Sequence, residues 1–164
     1  MQLSTSNNLR EYIGRELLDT LMPGQEYYVS FKVSLAYSPP WVTGPYNCGI
    51  DKLGVLFSTV SYAMPPSCPF TFSLIPPNFA HIYTSEIIVD SANWTTISGS
   101  FIADSSYQYI IIGNFFDDNN TNFIIIDTNN YCASYYFVDD IYVSTDSLTS
   151  ITEYNLQNKI KIYP

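Results

Sequence analysis

The sequence predicts an all-β fold, a two-sheet antiparallel β-sandwich, and three observations support this prediction. Apolar and more polar residues alternate from Tyr27 to Leu35, which is the period of a strand with one face in a core. Clusters of Pro, Gly, Asn, Asp and Ser then separate one short apolar run from the next. Helical signals are weak, because only residues 8–21 could be argued either way and Pro23-Gly24 ends that stretch. Many strands with recurrent turns are typical of a sandwich.

Further strands are predicted where apolar runs recur between the turn clusters. They lie at residues 52–59, 86–89, 94–103, 107–116, 123–127 and 135–144. With 164 residues the chain has the length of about one domain. We expect the sandwich domain at residues 1–144, a polar linker at 145–158 and a short separate segment at 159–164.

The segment 134–144, SYYFVDDIYVS, places two adjacent carboxylates in an otherwise apolar strand. Its apolar residues occupy both parities, so both faces of this strand should be covered. Asp139 and Asp140 are then expected on opposite faces of a buried strand. Because an unpaired buried carboxylate costs several kcal/mol, at least one of them needs a cation, a cluster of donors or a loop.

Composition and charge narrow the classes of partner. The formal net charge is −9 and only six Lys and Arg are spread along the chain, so no basic patch can form for a nucleic acid or an anionic membrane. The longest apolar runs are far shorter than the roughly 18–20 residues that span a bilayer, which predicts no membrane insertion. Neutral glycans, cations and basic protein surfaces fit the charge better, and 15 Tyr residues suit half-buried strands and binding faces alike.

The three cysteines are Cys48, Cys68 and Cys132, and they show no CxxC spacing that would indicate a thiolate metal site. One disulfide with one free thiol fits an oxidising compartment, and the sequence does not choose among the three pairings. Three buried thiols are an equal alternative.

Several blocks of sequence occur in an order typical of one family. They are LREYI at 9–13, LMPGQEYYVSF at 21–31, WTTISGSFIA at 94–103, IGNF at 112–115 and YYFVDDIYV at 135–143. This order resembles the galactose-binding-like jelly rolls of Bacteroidetes surface proteins over about residues 9–144. The resemblance implies a carbohydrate-binding-module type of jelly roll. It also implies further strands before the first block, which we expect this sequence to lack.

The end of the chain carries a second resemblance. NKIKIYP at 158–164 is similar to the opening of a type IX secretion sorting domain, where such a stretch commonly continues with Asn-Pro. The resemblance implies a protein that is secreted or displayed on the outer cell surface.

These resemblances imply a non-catalytic extracellular binding module that recognises glycans at the cell surface or as an accessory to a secreted enzyme. The alternative is a structural or adhesion spacer that binds no sugar. The expected partner is a glycan or a cell-surface protein, and missing strands would leave a sheet edge through which a homodimer could form. Catalysis has little support, because His81 is the one histidine, lies in a turn region and has no catalytic motif beside it.

The candidate sugar-binding residues are Tyr37, Trp41 and Tyr46, at the start of and within a long loop at 38–50. The alternative for this loop is a hydrophobic lid over one end of the sandwich. Trp94 is expected to pack inside. The resemblance implies that Asp139 or Asp140 helps to bind a structural Ca²⁺, with hydrogen bonding to backbone donors as the alternative.

Overall fold

The computed structural model describes residues 2–4, 9–36, 48–62, 78–126 and 132–146. Across these ranges every regular element is a β-strand, and none of the described residues belongs to a helix that could cross a membrane. The strands are β1 (Gln2–Ser4), β2 (Leu9–Arg10), β3 (Ile13–Glu16), β4 (Glu26–Leu35), β5 (Cys48–Ile50), β6 (Leu53–Ser58), β7 (Ile82–Tyr83), β8 (Thr95–Ile102), β9 (Tyr109–Asn114), β10 (Phe123–Ile125) and β11 (Ala133–Ser144).

The strands pair into antiparallel sheets, as the sequence predicts. The largest sheet has the order β2-β1-β11-β4-β8, a second has the order β3-β9-β6-β7, and β10 pairs with β5. The apolar core lies between the two larger sheets, since Phe31 of β4, Phe57 of β6 and Ile112 of β9 belong to one buried cluster. The all-β antiparallel prediction is therefore confirmed, and the shared core fits a sandwich.

Strand β4 shows why the alternating sequence folds in this way. Its inward residues are all buried: Tyr27, Val29, Phe31, Val33 and Leu35. The residues between them point away from the core, and β4 lies between β8 and β11 in the largest sheet. The period of two therefore gives this strand one core face and one outward face.

The second sheet is covered on its other face as well. A second buried cluster packs there, formed by Leu56, Ala80, Ile111 and Phe115. The Tyr12 ring stacks on Phe115 with 5.2 Å between the ring centroids. Gly113 lies under the same Tyr12 ring, and a Cβ at this position would collide with it. This close approach explains the glycine of the IGNF block.

Three parts of the chain differ from the sequence prediction. Residues 8–21, which could have been helical, instead contain β2 and β3, because β3 pairs with β9 almost a hundred residues further along the chain. The predicted strand at 86–89 is reduced to an isolated bridge between Ile88 and Ile50. The predicted loop at 38–50 ends in β5.

Strand β5 is fastened to β11 by a disulfide and two hydrogen bonds. Of the three pairings that the sequence leaves open, the structure has Cys48–Cys132, while Cys68 lies outside the described residues. Ser134 Oγ donates to the Cys48 carbonyl at 2.7 Å. The buried Tyr136 hydroxyl accepts from the Ile50 N–H at 2.8 Å. Together these contacts hold the small β10-β5 sheet against the largest sheet.

Candidate functional site

The two carboxylates of β11 lie at a β-bulge. The ladder between β11 and β4 shifts register between Asp139 and Tyr142, so Asp140 and Ile141 together oppose Phe31. Asp140 has a φ of 53°, in the left-handed region that Asp tolerates better than most residues. The extra residue reverses the alternation of side chains for the rest of the strand.

The prediction that these carboxylates point to opposite faces of a covered strand is therefore wrong. Val138 and Val143, five positions apart, both pack against the core. Asp139 and Asp140 are both exposed, and Phe137 and Ile141 of the same strand are 55% and 46% exposed. Because the carboxylates remain in contact with water, neither carries the desolvation cost that the buried-strand prediction assigned to it.

The outward side chains of β8, β4 and β11 form one surface, which we call the outer face. The pairing registers set its rows across the three strands, with Trp94, one residue before β8, continuing the outward parity of that strand. These rows are Trp94–Ser34–Phe137, Thr96–Lys32–Asp139, Ser98–Ser30–Tyr142 and Ser100–Tyr28–Ser144. The outer face thus has an aromatic row at one end, a charged row beside it, and two rows of hydroxyl groups.

The aromatic row exposes two large rings. Trp94 is 48% exposed and Phe137 is 55% exposed, so the prediction that Trp94 packs inside is wrong. Ser34 lies between them and is buried, as expected for a small side chain between two large ones. Tyr135, next on the same parity, meets the Phe137 ring edge-on with centroids 6.3 Å apart.

The charged row is organised around Lys32. Its Nζ lies 2.8 Å from Asp140 Oδ2, and both side chains are well exposed. The hydrogen bond and charge of Asp140, with a smaller contribution from Asp139, raise the pKa of the Lys32 ammonium. Asp139 Oδ1 accepts the Asp140 N–H at 2.8 Å, which stabilises the bulge. The row therefore presents an ammonium and two carboxylates to solvent beside the aromatic rings.

The surroundings of Asp139 and Asp140 bear on the predicted metal site. Within the described ranges, no group of three or more His, Cys, Asp or Glu side chains is placed to hold a metal ion. The carboxylate of Asp140 is directed at Lys32 instead. The Lys32 ammonium is therefore the positively charged partner of the Asp140 carboxylate at the bulge.

The predicted and observed candidates for ligand binding differ. Tyr37, Trp41 and Tyr46 lie outside the described residues. The outer-face rings of Trp94 and Phe137 were not predicted, since an aromatic residue next to a strand is usually assigned to the core. One feature of the sequence does indicate that Trp94 is exposed. It shares parity with Thr96 and Ser98, whose short polar side chains belong on a solvent face.

A second cluster surrounds His81, beside the edge strand β7. The His81 Nδ1 atom accepts the Phe57 N–H at 3.1 Å, so the ring proton must lie on Nε2, which donates to the Tyr107 hydroxyl at 3.0 Å. The hydroxyl in turn donates to Asp104. Burial and the bond to Asp104 raise the pKa of Tyr107 to about 12. The exposed ring of Phe79 packs edge-on to His81 with centroids 5.1 Å apart.

The His81 contacts predict a loss of stability in mild acid. Burial lowers the pKa of His81, against a smaller opposing effect of Asp104, and a proton on Nδ1 would face the Phe57 N–H. Because the unfolded chain then binds more protons below pH 6.5, the free energy of unfolding should fall from pH 7 to pH 5. Its slope is at most the roughly 1.4 kcal/mol per pH unit of one proton.

Urea unfolding at several pH values measures this effect. The variant His81→Gln, which cannot titrate, should show a nearly flat profile between pH 7 and pH 5, since His81 is the chain's one histidine. Equal slopes for the variant and the unsubstituted protein would contradict the assignment.

Comparison of the chain with family models, with curated proteins and with solved structures finds no significant match.

Proposed function

We propose that this protein is a non-catalytic extracellular module that binds glycans on its outer face. The observation that carries the proposal is the pair of exposed rings, Trp94 and Phe137, beside a row that contains Lys32 and Asp139. Exposed aromatic side chains next to convergent polar groups are what a sugar-binding surface needs.

The two kinds of row would serve different parts of a sugar. The apolar face of a sugar ring can stack on Trp94 or Phe137, which removes apolar surface of both partners from water. The sugar hydroxyls can then donate to the carboxylates of Asp139 and Asp140 and accept from the Lys32 ammonium. Hydroxyl-bearing side chains in the next rows add weaker hydrogen bonds without burying a charge.

We propose that the protein is secreted or lies on the outer cell surface. The buried disulfide between Cys48 and Cys132 supports this, since disulfides persist mainly in oxidising compartments. The galactose-binding-like jelly roll and the type IX sorting segment at 158–164 stay part of the same proposal, and they rest on the sequence resemblance.

A structural Ca²⁺ near Asp139 and Asp140 stays a prediction of that resemblance. The ion pair of Asp140 with Lys32 offers a second way to satisfy the bulge without a metal. Binding and melting measurements with Ca²⁺ and with EDTA separate the two: a melting temperature lowered by EDTA would support the metal, and an unchanged one would support the ion pair.

A glycan array on the full chain tests the proposed function. We expect binding of at least one glycan class, reduced about tenfold or more by Trp94→Ala, because a stacking ring contributes on the order of 1.4 kcal/mol and this is tenfold in affinity. The matched control is Tyr83→Ala, which removes an exposed ring at the edge of the other sheet. Silence across the array, or equal losses in both variants, would count against glycan binding by the outer face.

One observation favours the alternative, a structural or adhesion spacer that contacts a cell-surface protein. Phe123, Ile124, Ile125 and Ile126 are consecutive, and each is between 43% and 51% exposed. Runs of exposed apolar residues in a strand often mark contacts with another protein chain. Sedimentation of the full chain at increasing concentration would reveal a homodimer formed there, and Ile124→Lys should abolish it.

A further inference from the structure

We infer that the outer face takes an internal stretch of a neutral, linear glycan chain, laid across β8, β4 and β11, with one sugar unit on Trp94 and another on Phe137. The inference rests on the proposed function, and it names the class of ligand.

The separation of the two rings sets the minimum length of the ligand. Trp94 and Phe137 belong to the same row but to strands on either side of β4, with Ser34 between them. Neighbouring strands are about 4.8 Å apart, so the two backbone positions are separated by about 10 Å. A pyranose is about as wide as a phenyl ring and therefore covers one of these rings at a time. A ligand that uses both must contain at least two linked units.

The side chains next to the two rings favour binding to the interior of a glycan over binding to its terminal sugar. The residues beside Trp94 and Ser34 on the same face are Thr96 and Lys32, and the next row begins with Ser98 and Ser30. Apart from the flexible Lys32, these are short side chains that rise only a few atoms above the sheet and build no wall around the end of a glycan. A site for a terminal sugar is normally a concave pocket that encloses it. Among the described side chains of β8, β4 and β11 the face is therefore open, which favours a glycan that continues along the row beyond the two rings.

The charged row lies beside the aromatic row across all three strands. Successive outward residues of a strand lie about 7 Å apart, so Thr96, Lys32 and Asp139 form a parallel line of polar groups at one side of a bound chain. Sugar units on both rings therefore meet hydrogen-bonding partners on the same side. This arrangement favours a chain whose hydroxyl groups recur along one edge.

The charges of the outer face and of the whole protein favour a neutral glycan. The only cation of the four rows, Lys32, is already paired with Asp140, while Asp139 adds a further negative charge beside it. The whole chain carries a net charge of −9, which repels a polyanion at long range. Carboxylates are good acceptors for sugar hydroxyls but repel uronate or sulfate groups.

Calorimetric titration with matched ligands of different length tests the inference. The probes are glucose, mannose, xylose and galactose, the linear hexasaccharides built from each of them, and polygalacturonate as the anionic chain. We expect one or more hexasaccharides to bind at least about tenfold more tightly than the corresponding monosaccharide, and polygalacturonate to bind no better than the weakest neutral chain. Trp94→Ala and Phe137→Ala should each weaken hexasaccharide binding about tenfold, while Tyr83→Ala should not.

The outcomes separate this inference from the proposed function. Equal affinity for a monosaccharide and its hexasaccharide would contradict the inference that an internal stretch of a glycan binds across both rings. A loss of affinity in only one of the two ring variants would contradict it as well. In both cases the proposal of glycan binding would stand. Tighter binding of polygalacturonate than of the neutral hexasaccharides would contradict the inference that the ligand is neutral. Absence of binding to every probe and to the whole array would overturn the proposed function itself. Circular dichroism of each variant verifies that it is folded, as expected for substitutions at exposed positions.

Discussion

Replacing Cys48 and Cys132 together by serine should lower the free energy of unfolding by about 4.5 kcal/mol, in the chain-entropy description of a disulfide that closes a loop of this length. The two cysteines are 84 positions apart, so the bond excludes a large set of extended conformations from the unfolded chain. Both are buried, and the disulfide joins the small β10-β5 sheet to β11. The loss is comparable to a large part of the stability of an ordinary domain.

Urea unfolding of the oxidised protein and of Cys48→Ser/Cys132→Ser measures this loss. The reduced protein supplies the control, because a reducing agent should bring the unsubstituted chain close to the double variant and should leave the double variant unchanged. A reducing agent that destabilises both proteins equally would assign the effect to something other than this disulfide.

The variant Tyr136→Phe should lower the free energy of unfolding by about 3 kcal/mol, since each of two buried backbone groups loses its partner at a cost of about 1–3 kcal/mol. The Tyr136 hydroxyl accepts from the Ile50 N–H at 2.8 Å and donates to the Ile88 carbonyl at 2.7 Å. Burial raises the pKa of this hydroxyl, so it remains a protonated donor across the range of pH in which the protein is folded. One oxygen atom thus connects β11, β5 and the bridge at Ile88.

Tyr142→Phe is the matched control for this effect. Tyr142 belongs to the same strand but lies on the outer face, where its hydroxyl is within reach of water. Its loss should change stability by no more than about 0.5 kcal/mol. Equal effects of the two substitutions would show that the bonds of Tyr136 are not what stabilises β5.

The alternation in β4 and the apolar runs of β6, β8, β9 and β11 were sufficient to predict the all-β architecture and the approximate position of most strands. The short strands β1, β2, β3, β5 and β7 escaped prediction, and for β3 and β5 the structure shows a physical reason. β3 is exposed along its whole length and is held by its ladder with β9, so no local apolar pattern marks it. β5 is held by the disulfide and by Tyr136, which are contacts between residues distant in the chain.

The orientation of β11 could not be predicted, because its apolar residues occupy both parities. Such a pattern normally indicates a strand that is covered on both sides. Here the bulge at Asp140 and Ile141 changes which parity is inward, so that Val138 and Val143 face the same core. Val138 and Val143 are five positions apart in the sequence. An odd number of positions between two core residues of one strand indicates an inserted residue. The sequence does not show which apolar residues of β11 are core residues, so this interval has a meaning only once the pairing with β4 is known.

The bulge also has a consequence for how the chain finds its final pairing. A long antiparallel strand that slides by two residues keeps its core side inward, so apolar burial alone discriminates poorly between such neighbouring alignments. With two residues of β11 opposing Phe31, any slide would carry the left-handed backbone of Asp140 away from Lys32 and out of its pairing position. Asp140 thus specifies the register of β11 against β4, and with it the position of Phe137 opposite Ser34.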